Sequence, residues 1–159
     1  MNRFIVKCAF VGLLFISFGA QAQMAPQPSA MAVQFAQLVS KACLNKQWET
    51  PACLSAVSNS NLALAATYGS DLQNKGFAAA AEQIKQHCAA STAAREQAYP
   101  AYAMKSAFTE CANMIYDVSE QTKVTPDQAH YQLLVAPILC MSNDQRCLGV
   151  EQGLAPYAR

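Results

Sequence analysis

Apolar residues recur along most of this chain at steps of three and four, the spacing that places side chains on one face of an α-helix. From Ser29 to Lys46, the residues Met31, Phe35, Leu38, Val39 and Ala42 follow such steps, and Ser29 stands where an N-cap belongs, so a first amphipathic helix is predicted there. Thr50-Pro51 supplies a cap followed by proline at the first helical position and opens a second segment, marked by Leu54, Val57, Leu62, Ala65 and Tyr68. Gly69 or Gly76 is expected to interrupt it. The run from Phe77 to Ala90, FAAAAEQIKQHCAA, consists almost wholly of strong helix formers, whereas the following STAAREQAYPAY is ambiguous at Pro100.

The clearest stripe lies in Ala103 to Val118. There Met104, Ala107, Phe108, Cys111, Met114, Ile115 and Val118 align, while Lys105, Thr109, Glu110, Asn113 and Asp117 fall away from them. Thr125 and Gln128 have the capping-box spacing around Pro126 and Asp127, so a helix is predicted to start at Pro126 and run to about Met141, with a kink near Pro137. A shorter helix from Gln145 to Gly153 closes the chain. No segment alternates with period two, and valine and isoleucine are sparse. The pattern predicts an all-α fold, a disulfide-stapled bundle of about five helices.

The first residues follow another logic. MNRFIVK is a basic start, CAFVGLLFISFG an apolar run of about a dozen residues, and Ala20-Gln21-Ala22 a small-x-small site, which together predict a secretory signal peptide over residues 1–22. Residues 23–28 are expected to form a flexible start, and 29–159 a single domain. Nothing after residue 23 approaches the roughly 18 uninterrupted apolar residues of a membrane span. Cys8 opens the apolar run, whereas a lipid-modified cysteine would end it.

Removing the signal changes two counts. The whole chain holds 11 Lys+Arg against 10 Asp+Glu, a formal +1, with 53% hydrophobic and 13% charged residues. That composition excludes a disordered charged tail and a strongly electrostatic nucleic-acid binder. Loss of Arg3 and Lys7 leaves nine bases against ten acids, a charge of −1. Loss of Cys8 turns seven cysteines into six: Cys43, Cys53, Cys88, Cys111, Cys140 and Cys147. An even number in an exported chain predicts three disulfides. KACLNKQWETPACL is echoed by ILCMSNDQRCL, and each suggests a stapled helix–loop–helix corner, with Cys43 joined to Cys53 and Cys140 to Cys147; Cys88 and Cys111 then remain for each other. Because alanine makes up about a fifth of the mature chain and buries little area, such staples would compensate a thin core. Zinc is the competing use of cysteine, but the chain has no C-x-x-C and no H-x-x-x-H. No metal or cofactor is expected.

Catalytic signals are sparse. The chain has no G-x-S-x-G, no H-E-x-x-H, no glycine-rich phosphate loop and only two histidines. Asp127 and His130, three apart on one helix, are the best remaining constellation. Their plainer reading is a carboxylate stabilising the helix N-terminus beside a surface or boundary histidine, and His87 next to Cys88 reads as a polar group near a helix end. Candidate binding residues are Trp48, in a loop held between two paired cysteines, and the aromatic pair Tyr99 and Tyr102. Trp48 has the alternative of folding back to plug the bundle end. The bases Lys41, Lys46, Lys75, Lys85, Arg95 and Lys105 give residues 23–109 a charge of +2, against −3 for residues 110–159. Gathered on one face they would meet an acidic protein or an anionic lipid head group.

A signal ending AQA-Q and a small, helical, even-cysteine mature chain without enzyme motifs resemble the small proteins that Legionella-type bacteria export by the type II pathway. The cysteine spacing differs from those of saposins and insect odorant-binding proteins. The resemblance implies folding and oxidation in the periplasm, then passage across the outer membrane to act as an effector on a host or the surroundings. The expected function is therefore that of a secreted, non-enzymatic binding protein. A periplasmic inhibitor or immunity protein is the first alternative, and a small hydrolase the second.

Overall fold

Every regular element of residues 27–96 and 101–159, the part of the computed structural model described here, is helical. Side chains are described for all of these residues except 91–96. The expected signal peptide and its cleavage site fall outside this range, as do Tyr99, Pro100 and the side chain of Arg95. Six α-helices follow in order: α1 Ala30–Cys43, α2 Pro51–Asn74, α3 Ala78–Glu96, α4 Ala101–Thr122, α5 Gln128–Met141 and α6 Cys147–Leu154, with a terminal 3-10 turn at Ala155–Ala158.

Helix starts obey their caps. Ser29 Oγ accepts from the Ala32 amide at 3.1 Å, and Thr50 Oγ1 from the Cys53 amide at 3.3 Å with Pro51 in the first turn, satisfying donors that the helix leaves free. The fifth helix departs from its expected start. Asp127, rather than Thr125, is the cap, and its Oδ1 accepts from the His130 amide at 3.1 Å. The ionised carboxylate is the stronger acceptor at the positive end of a helix, which explains the shift by two residues. Pro137 is accommodated inside α5.

Helix ends are set by backbone sign. α1 stops at Cys43, short of Lys46, because Asn45 and Lys46 both adopt positive φ, at 63° and 65°. α2 runs straight through Gly69 and ends before Gly76, whose φ of 89° suits the turn where the Phe77 amide donates to the Leu72 carbonyl at 2.8 Å.

α2 is the hub: it packs against α1, α3, α4 and α5, and α6 with the terminal turn lies against α1 and α5. Leu54, Val57, Leu64, Ala65, Tyr68 and Leu72 form its buried side. The stripe predicted on α4 is buried as expected, with Met114 half-buried. On α1 the buried face is Ala32, Ala36, Val39, Ser40 and Cys43, while Met31 and Leu38 are exposed and Phe35 and Ala42 half-buried. Small residues let α1 approach its neighbours closely, so the inward face is rotated away from its largest side chains.

All six cysteines are joined as their nearest-neighbour spacing suggested: Cys43 to Cys53, Cys88 to Cys111 and Cys140 to Cys147. The first staples α1 to α2, the second α3 to α4, and the third α5 to α6.

Candidate functional site

The two stapled corners face each other. Trp48, from the loop after α1, is buried at 4% exposure, and its Nε1 donates to Glu151 Oε1 of α6 at 3.1 Å. Its place is thus the plug at the end of the bundle, and the extended recognition tip is not what the structure holds. Lys46, Trp48, Glu49, Asp144, Leu148 and Glu151 help to line a cleft of about 600 Å³ between the corners. Two of its three carboxylates are already engaged, Glu151 by Trp48 and Asp144 by Arg146. The Arg146 guanidinium and backbone amide, 2.7 to 3.0 Å from the Asp144 oxygens, draw the Asp144 carboxyl down to about 2.

The candidate bases do not gather on one face. Lys41 and Lys46 lie at the α1–α2 corner and Lys75 beyond the far end of α2, a helix of 24 residues and hence roughly 36 Å long. That exceeds several screening lengths, about 8 Å each at physiological salt. Lys85 and Lys105 are half-buried on α3 and α4, and Tyr102 is 77% exposed at the start of α4.

His130 is not a surface residue. It is 1% exposed, stacked on Phe35 of α1 with ring centroids 5.2 Å apart, and its Nε2 lies 2.9 Å from the Ser60 carbonyl oxygen and 3.0 Å from Ser60 Oγ. A carbonyl only accepts, so Nε2 carries the proton and donates it towards Ser60. This is the reverse of a serine nucleophile handing its proton to a histidine base. Ser60 is fully buried as well. Burial holds the His130 pKa below its ordinary 6.5, against the opposing pull of the Ser60 carbonyl and the Asp127 charge. Burial also pushes the Asp127 carboxyl up, but the Ser29 hydroxyl, the His130 and Ala129 amides and the His130 ring together hold it below its ordinary value. Ser29 and Asp127, the caps of α1 and α5, therefore lie beside each other.

Asn61 was missed by the apolar pattern. It sits one step from Ser60, fully buried, and among the described residues neither its amide nitrogen nor its oxygen has a hydrogen-bond partner. The steps Val57, Asn61, Leu64 place it in an inward slot of α2, whereas the apolar Leu62 beside it is half-exposed. Replacing Asn61 by leucine, close in volume, removes two unpaired polar atoms and should raise stability by about 1 kcal/mol. Urea unfolding would measure it, and a loss of similar size would mean that the amide is paired.

A second hollow has a different character. α1, α5 and α6 with the terminal turn enclose a half-open pit of about 380 Å³. Its floor includes Ala32, Ala36, Leu133, Ala136 and Leu154, all buried, and its rim carries Gly149, Gly153, Gln132 and Tyr157. None of its lining residues is charged. Individually these residues are unremarkable in the sequence; only the crossing of three helices brings them together. Volume and apolar walls match the common form of a small-molecule site. Among the described residues no group of three or more His, Cys, Asp and Glu is placed to hold a metal ion. No protein-family model matches the chain, and neither a curated protein nor a solved structure is found to be similar to it.

Proposed function

We propose that this chain is an exported, non-catalytic binding protein, secreted through the periplasm in the manner of the type II substrates it resembles. The export half is supported by the three disulfides formed among the cysteines that remain after the expected cleavage. No helix among the described residues is long and apolar enough to cross a membrane. The binding half is carried by one observation, the uncharged pit between α1, α5 and α6. The polar pair most like a catalytic one, Ser60 and His130, is sealed inside the bundle with its proton on the wrong partner for nucleophilic attack.

An anionic membrane surface suits this protein less well than a discrete ligand or protein partner, because Lys41 and Lys46 are separated from Lys75 by the length of α2. The inhibitor or immunity reading draws on the cleft between the two stapled corners, where disulfides hold charged side chains on loops of fixed shape, as an insertion into an enzyme cleft requires. Cell fractionation with thiol labelling tests the export half: recovery from periplasm or medium, processed after Ala22 and without free thiols, is expected. Cytoplasmic recovery of the unprocessed chain with seven reactive cysteines would overturn it. Ligands that raise the melting temperature should be recovered chemically unchanged after long incubation, and a converted ligand would overturn the non-catalytic half.

A further inference from the structure

We infer that the pit between α1, α5 and α6 binds one uncharged amphiphile, an aliphatic chain with a small hydroxyl- or amide-bearing head. The inference rests on the reading of the chain as a binding protein and names the ligand class of its site.

Size comes first. An engineered cavity of about 150 Å³ accepts benzene, so the pit, at about 380 Å³, suits a body of about fifteen non-hydrogen atoms. A single side chain from a protein partner would leave much of it empty. The floor is alanine and leucine, which offers dispersion contacts and no hydrogen bonds, so the buried part of the ligand is hydrocarbon. At the half-open rim the Gln132 amide and the Tyr157 hydroxyl, both neutral, are the side-chain hydrogen-bonding groups available to a head.

Charge excludes the alternatives. No lysine, arginine or histidine lines the pit to meet a carboxylate or phosphate. Pro28 and Ala129 bring its wall to the first turns of α1 and α5, the ends where helix dipoles would otherwise welcome an anion. There the Asp127 carboxylate, which accepts from the His130 amide, already occupies the α5 end and repels a second negative charge. It does not line the pit, whose walls offer no counter-ion to a cationic head.

Glycine supplies an independent argument. Gly149 and Gly153 both lie in α6, where glycine is less favourable than alanine. Neither has a positive φ, and a Cβ built on either meets no atom within 4 Å. Nothing in this chain therefore requires glycine at these two positions, one turn apart on the pit wall. Bare backbone there keeps the pit open for something that approaches closely.

N-Phenyl-1-naphthylamine, a neutral fluorophore of suitable size, reports on the site in the oxidised protein purified after export. Saturable fluorescence enhancement at one probe per chain is expected, with displacement by monodecanoylglycerol below its micellar concentration and at least tenfold weaker displacement by decanoate or decyltrimethylammonium. Gly153→Leu adds a side chain to the pit wall at a place where a Cβ meets no atom within 4 Å, and should weaken probe binding at least tenfold while leaving the melting temperature unchanged or higher; Gly149→Leu should do the same. Absence of saturable enhancement, undiminished binding by both variants, or tighter displacement by either charged chain would overturn the proposal. So would a wild-type dimer in sedimentation that Gly153→Leu converts to monomer, since a second copy would then cover the pit. Chemical conversion of monodecanoylglycerol would overturn the non-catalytic reading while leaving the pit as the site.

Discussion

Replacing Cys88 and Cys111 together by alanine should cost about 3.4 kcal/mol of stability, the largest loss of any of the three disulfides. The argument is one of loop closure. The bonded residues are 23 apart, against 10 for Cys43–Cys53 and 7 for Cys140–Cys147. The chain-entropy relation gives about 2.8 and about 2.5 kcal/mol for those shorter loops. Cys88 and Cys111 are fully buried, as are Cys43 and Cys53, so truncation of either pair adds a packing loss and loop length decides the order between them. In a protein of this size the change corresponds to a fall of roughly 10 °C in melting temperature. Calorimetry of the three double-alanine variants under oxidising conditions gives the order directly. If Cys140→Ala/Cys147→Ala melts lowest, loop closure is not what these bonds contribute. The same series separates stability from binding. The bond between α5 and α6 holds two walls of the pit, so its loss should weaken probe binding well below the melting transition. Loss of the α3–α4 bond should leave binding intact.

The covalent framework was legible because it depends on local order: paired cysteines close in sequence, each set astride a helix junction, leave little choice of partner once the helices are placed. Helix existence was legible for a similar reason, since caps at Ser29 and Thr50 and the stripe on α4 act within a few residues. Faces were less so. On α1 the bundle turns Ala32, Ala36 and Ser40 inward rather than the larger Met31, Phe35 and Leu38, and Ser40 Oγ donates to the Leu154 carbonyl at 2.9 Å, at the other end of the chain. That choice is made by the approach of α5 and α6, a tertiary fact with no local trace. The candidate site suffered most. Trp48 was marked for its side chain, but its burial depends on Glu151, 103 residues later. The pit has no residue type to announce it. Its walls are alanine, glycine and leucine, and it exists because small side chains on three helices leave volume unfilled where they cross.

Acidification from pH 7 to pH 5 should destabilise the protein through His130. The unfolded chain takes up a proton at this residue near 6.5, whereas burial lowers the native value. Between those two values the unfolded state holds more protons than the native state, so stability falls as pH falls, at up to about 1.4 kcal/mol for each pH unit. Above 6.5 the full contribution is present, and below the native value no more is lost. Asp127 acts in a separate window: its native value lies below the ordinary 3.8, so its stabilising contribution is present above 3.8 and is lost only as pH drops further. The cost has a structural source. A protonated ring would place a charge between Phe35 of α1 and Ser60 of α2, where the charge that attracts it is Asp127 at the cap of its own helix, and that carboxylate already accepts from the His130 amide. His130→Gln keeps a neutral donor for the Ser60 carbonyl and has nothing to titrate. Urea unfolding at half-unit intervals should give a slope between pH 6.5 and 5 for the parent and a flat line for the variant. A slope that survives His130→Gln would place the titration elsewhere. The position of the parent's plateau then measures how strongly the junction of α1, α2 and α5 resists charge.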